Sequence, residues 1–71
     1  MMWYRIKEIR NEKGMSQEEL SVKSGISRTI ISGLESGTRT NTSAGTLLKI
    51  ADALGVGVEE IFSQSVQHGK Q

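Results

Sequence analysis

The chain has no cysteine, so no disulfide and no thiolate metal site can staple its fold. Its single histidine, His68, stands in a polar stretch with no second ligand near it, which leaves no metal or cofactor site to propose. No apolar run is long enough to span a bilayer, and the N-terminus lacks the continuous apolar core of a signal peptide. The expectation is therefore a cytoplasmic protein with no membrane partner. No stretch alternates apolar and polar residues for long, which argues against strands. No nucleophile–base pair or phosphate-binding glycine loop is present, and no small-molecule substrate is evident, so an enzyme is not expected.

With 71 residues the chain makes one domain at most. A chain this short buries only about 60% of its unfolded surface, so helix packing has to supply the stability, with or without a partner subunit. The formal charge is only +1, but it is unevenly spread. Glu8, Glu12, Glu18 and Glu19 lie in the first third, and Asp52, Glu59 and Glu60 near the end. Between them Lys23, Arg28, Arg39 and Lys49 face Glu35 alone. A basic middle between acidic ends fits one positive face. It also fits ordinary surface charge, and charge alone does not choose.

The apolar spacing is helical. Trp3, Ile6 and Ile9 recur every three residues, and Gly14 closes that first helix. Ser16 with Glu19 three residues on forms a capping box for a second helix, which buries Leu20 with Val22 or Ser21 and ends at Ser24-Gly25. Ser27 caps a third helix, about 27–36, whose apolar side is Ile30, Ile31 and Leu34; Ser36-Gly37 stops it. A polar loop, 37–43, leads to Ser43, the cap of a fourth helix carrying Leu47, Leu48, Ile50, Ala51 and Leu54, ended by Gly55. Val58, Ile61 and Phe62 turn inward from a short fifth helix, about 58–63. The result is an all-α domain of five helices over 1–63 and a frayed polar tail over 64–71.

Helices 2 and 3, joined by a sharp turn at Gly25, have the layout of a helix-turn-helix, whose second helix lies in the DNA major groove. Helix 3 buries one face and leaves Arg28, Thr29 and Ser32 on the other. Arginine forks onto guanine O6 and N7, and short hydroxyl side chains reach either base type, so these three are the candidate base contacts. Each is also an ordinary solvent-facing helix residue. Arg39, Asn41 and Ser43, on the loop and at the N-terminus of helix 4, suit a phosphate grip, as does Ser27. Lys23 is a solvated helix lysine that lies near a phosphate only if the helix-2 end does.

The chain resembles the lambda-repressor/Cro-type helix-turn-helix family, also called the xenobiotic-response-element family. The resemblance runs over about residues 5–62. It is carried by Arg5-Ile6-Lys7-Glu8-Ile9-Arg10, Lys13-Gly14-Met15-Ser16-Gln17-Glu18-Glu19-Leu20, Gly25-Ile26-Ser27-Arg28, Ile31-Ser32, Glu35-Ser36-Gly37 and the run from Thr46 to Val56. It implies a transcriptional regulator, a repressor without an effector domain, that binds double-stranded DNA at a pseudo-palindromic operator as a homodimer. It further implies that Gln17 hydrogen-bonds a phosphate and braces helix 3, and that Arg10 and Glu35 pair between helices 1 and 3. Val56, Val58 and Ile61 fall where family dimers meet, although core packing explains them equally well.

Two positions depart from the family pattern. Gly33 stands where a longer base-reading side chain is usual, leaving three readings: close backbone approach to DNA, specificity moved to Arg28, Thr29 and Ser32, or weak discrimination. Ile30 stands where a polar or mid-sized residue is usual, and partial packing against helix 2 is expected. Met2-Trp3-Tyr4 either caps the small core or extends a dimer contact. The alternative function from another class is a protein-interaction module, an antitoxin or adaptor on the same fold.

Overall fold

The structure, a computed structural model, describes residues 4–39 and 41–62. It contains four α-helices, α1 (Ile6–Glu12), α2 (Gln17–Ser24), α3 (Arg28–Ser36) and α4 (Ala44–Leu54), followed by one 3-10 turn, Val58–Ile61. The expectations for Trp3 and for the tail over 64–71 lie outside the described residues. None of the helices in the described residues is long and apolar enough to cross a membrane.

Helices of seven to eleven residues are too short to be stable alone. Their ends are set by local chemistry. The side chains of Ser16, Ser27 and Ser43 accept hydrogen bonds from the backbone N–H groups of Glu19, Ile30 and Thr46, each satisfying one orphan donor of a helix start. Ser16 and Glu19 complete the reciprocal box, the Ser16 N–H donating to Glu19 Oε1 at 2.8 Å.

The rest comes from burial. Ile6, Ile9, Leu20, Ile26, Ile31, Leu34, Leu47, Ile50, Ala51, Leu54 and Ile61 form one core to which every helix contributes. Each fully buried leucine or isoleucine contributes about 1.5–3 kcal/mol. Tyr4, Met15, Ile30, Ala53, Val56, Val58 and Phe62 pack around it half-buried. Ile30 is thus partly packed, as its place beside helix 2 suggests.

Three details differ from the sequence reading. The fifth element is a single 3-10 turn of four residues, because Gly57 at its start offers no side-chain cap and Phe62 at its end is already extended. There the chain closes on itself: the Arg5 N–H donates to the Ile61 carbonyl, Tyr4 and Phe62 form an isolated antiparallel bridge, and their rings lie 5.9 Å apart. On α2, Val22 points to solvent and is 78% exposed, since Leu20 and Ser24 occupy the buried stripe. On α4, Leu48 is also turned outward while Leu47, Ile50, Ala51 and Leu54 face the core.

Candidate nucleic-acid interface

The turn between α2 and α3 fixes their relative placement. Gly25 takes φ of 76°, the left-handed conformation that a side chain disfavours. Two serines then stitch the turn. The Ser21 hydroxyl donates to the Ile26 carbonyl at 2.7 Å, and the Ile26 N–H donates to Ser24 Oγ at 3.1 Å. Ile26 itself is buried in the core. Two serines in the last turn before a helix-ending glycine were the available sequence signal for this device.

From that turn α3 runs with Ile31 and Leu34 buried and Ile30 half-buried. At 100° per residue, Arg28, Thr29, Ser32 and Gly33 must share the opposite face, and they do. Gln17, Arg28, Thr29, Ser32, Gly33 and Thr38 line one shallow concavity, which continues into another lined by Thr29, Gly33, Thr38, Arg39 and Asn41. No carboxylate lines either one. The cleft therefore offers two arginines, an amide from α2 and a row of hydroxyls.

Ser27 and Ser43 line neither concavity; each sits at a helix start. Capping uses only a lone pair of the hydroxyl oxygen, so the Ser27 proton stays available to an acceptor outside the protein. Lys23 belongs to a different depression, shared with Ser16, Glu18, Glu19 and Val22.

The one carboxylate of the basic middle is turned away from the cleft. The Arg10 guanidinium forks onto Glu35, and the remaining Arg10 nitrogen, Nη1, donates to the Met15 carbonyl at 2.8 Å. Gln17 Nε2 donates to Glu35 Oε1 at 2.9 Å. Both charged side chains are nearly enclosed, at 10% and 4% exposure. Burial pushes the Glu35 carboxyl up, but the hydrogen bonds from Arg10 and Gln17 and the attraction of Arg10 and Lys7 outweigh it and hold it below its ordinary value. Its own hydrogen bonding to Glu35, with the attraction of that carboxylate, raises the Arg10 guanidinium above its ordinary value against its desolvation. Gln17 Nε2 carries two protons, and Glu35 takes one. The side chain is thus oriented at the rim of the cleft with a second N–H to give.

Gly33 is more than a missing side chain. Its carbonyl accepts from the N–H groups of Gly37 at 3.1 Å and Arg39 at 3.0 Å, and from the hydroxyls of Ser36 and Thr38. The loop after α3 is thereby folded back onto the helix. This approach was not legible in the sequence, where Gly33 and Arg39 belong to different elements.

Ile61, which the sequence places either in the core or at a dimer contact, is fully enclosed in the core of this chain and has no exposed side-chain surface to offer a partner. Val56 and Val58 keep part of their surface exposed.

The helix-turn-helix family model matches residues 6–61. The uncharacterized HTH-type transcriptional regulator y4dJ of Sinorhizobium fredii is 45% identical over 55 residues, covering 78% of this chain and 70% of that protein. The HTH-type transcriptional regulator SinR of Bacillus licheniformis is 36% identical over 64 residues, covering 90% of this chain; the chain spans only 58% of SinR. Among solved structures, the restriction-modification controller protein C.AhdI of Aeromonas hydrophila superposes with a TM-score of 0.74 at 43% identity, over 79% of this chain and 83% of that one. Sequence and fold agree along nearly all of the helical part, and the chain belongs to the helix-turn-helix family of the lambda-repressor/Cro type.

Proposed function

We propose that the protein is a DNA-binding transcriptional regulator, acting in the cytoplasm, that lays α3 in the major groove of its operator. The observation that carries this is the carboxylate-free cleft along α3, with Gln17 on one side and the Arg39 loop on the other. Phosphodiesters are acceptors with a full negative charge, and this surface presents two guanidinium groups with amide and hydroxyl donors and no carboxylate. Arg28, Thr29 and Ser32 read base edges. Gln17, Ser27, Asn41 and Ser43, with the loop that carries Arg39, hold the flanking phosphates and set the register of α3. The family's relatives include named transcriptional regulators and a restriction-modification controller, which supports the same reading.

In this reading the protein works as a homodimer on a pseudo-palindromic site, with two copies of α3 about 34 Å apart in successive major grooves. The half-exposed Val56 and Val58 contribute to the contact between copies. Such a regulator represses by occupying its operator.

The test is a selection of bound sequences from a random duplex library at near-physiological salt. An enriched inverted repeat, with affinity falling steeply as salt rises, is the expected outcome, because each neutralised phosphate releases counterions. A folded protein that enriches no sequence and shows no salt-dependent binding would overturn the proposal in favour of a protein-interaction role.

A further inference from the structure

The recognition face of α3 has a gap at Gly33, and the structure fills it from elsewhere. A Cβ built on Gly33 would stand 3.1 Å from the Arg39 Cβ, 3.5 Å from Thr38 Oγ1 and 3.7 Å from Arg39 Nε. The first of these is tighter than van der Waals contact between two carbons, which is optimal at about 3.5–4.0 Å. The side chain of Arg39 therefore runs over the spot that a residue-33 side chain would occupy. It is held there by its own backbone, whose N–H donates to the Gly33 carbonyl at 3.0 Å, and by Thr38, whose hydroxyl donates to the same oxygen.

We infer that Arg39 is a base-reading residue, delivered from the loop onto the groove-facing side of α3 through the space that Gly33 leaves open. This rests on the DNA-binding reading above and deepens it. A phosphate grip needs only charge near the flank of the helix. Here the guanidinium arm lies along the same face as Thr29, in a concavity free of carboxylates, so no ion pair on that face holds it back. When that face enters the major groove, a guanidinium over position 33 meets base edges, and its fork matches guanine O6 and N7. Gly33 and Arg39 then act as one unit. A Cβ at 33 crowds the Arg39 Cβ, which has to give way by a few tenths of an ångström, and loss of Arg39 leaves a gap with nothing to read the base.

The random-duplex selection, run in parallel on the wild type, Arg39→Ala, Arg39→Lys, Gly33→Ala and the double variant Gly33→Ala with Arg39→Ala, tests this. The expected result is that Arg39→Ala flattens the preference at one base position of each half-site by about ten-fold, leaving other positions sharp. Arg39→Lys keeps the charge but loses the fork and flattens the same position. Gly33→Ala does so too, and adds nothing in the Arg39→Ala background. If Arg39→Ala weakens all sequences evenly and Arg39→Lys restores them, the side chain holds a phosphate and the inference falls. A Gly33→Ala profile equal to that of the wild type would overturn the coupling between the two residues. Should Gly33→Ala lose its helical circular dichroism, the two Arg39 variants decide alone. A wild-type protein that enriches no sequence removes the DNA-binding reading itself, and this inference with it; a sharp wild-type profile with evenly weakened variants removes the inference only.

Discussion

Arg10 meets Glu35 edge to edge, Nε at 2.7 Å from Oε2 and Nη2 at 3.0 Å from Oε1, with both side chains nearly enclosed between α1 and α3. The contact ties the end of α3 to the first helix and removes the only carboxylate of α3 from the face proposed to meet DNA. A pair of this kind is costly to break and of modest net value when intact, because two charges have lost their water. Removing one partner should therefore be far worse than removing both. Glu35→Ala, which strands the Arg10 charge, is expected to lower the unfolding free energy by about 3–5 kcal/mol. The double substitution Arg10→Met with Glu35→Leu should recover most of that. Urea denaturation of both variants at equal slope checks this, and additive losses would contradict it.

The same pair sets an acid limit to stability. Glu35 ionises below its ordinary value of 4.5 in the folded chain. A depressed carboxylate contributes stability that is complete above the unfolded value and drains away as pH falls through the folded one. Wild-type stability should therefore drop below pH 4.5 more steeply than that of Glu35→Gln, which has no proton to take up at this site. The difference between the two proteins should be constant at neutral pH and shrink on acidification. Thermal unfolding across that range measures it, and parallel profiles would show that the pair does not couple to folding.

Much of this architecture is written locally. A serine three residues before a free backbone N–H is enough to start α2, α3 and α4, and Gly25, Gly37 and Gly55 all end helices in the left-handed conformation that glycine favours. The spacing of Ile31 and Leu34 likewise decides which face of α3 is outward. What was not legible depends on neighbours far along the chain. Val22 has the side chain of a core residue, yet α4 packs on the stripe of Leu20 and leaves it outside. The inward turn of Ile61 follows from the apolar spacing, but the bond from the Arg5 N–H to its carbonyl, which joins the two ends of the fold, does not. Gly33 leaves three readings open in the sequence, and the close approach of Arg39 to it depends on how the loop after α3 returns. The roles proposed for Arg28 and its neighbours on DNA follow from resemblance and exposed chemistry, not from packing.

The proposed homodimer needs apolar surface beyond the monomer core. Val56 and Val58 are half-exposed at the start of the 3-10 turn, and like Phe62 they edge the core without filling its centre. Val58→Asp should therefore shift the protein to monomer and cost only modest stability, whereas Ile61→Asp should unfold it, since Ile61 is fully enclosed. Sedimentation equilibrium separates the cases when read beside circular dichroism. A folded Val58→Asp that still dimerises would place the contact on another surface.

Arg28 and Gln17 line the same concavity but are expected to fail differently. Arg28 is fully presented at the start of α3, and no carboxylate among the described residues pairs with it. Arg28→Ala should relax the preference at one base position, with a loss on the operator of about 1–3 kcal/mol and a much smaller loss on random duplex. Gln17 is held by Glu35 and offers only its second amide proton, which suits a phosphate at a fixed distance from α3. Gln17→Ala should weaken operator and random duplex by similar factors and leave the selected sequence unchanged. It should also free Glu35 of one of the hydrogen bonds that hold its carboxyl down, moving the acid limit of stability upward. Titration against operator and random duplex, paired with acid unfolding of the same variant, reads both roles of Gln17. A changed base preference without a shift in the acid limit would reverse the assignment, making Gln17 a base reader with no bracing role.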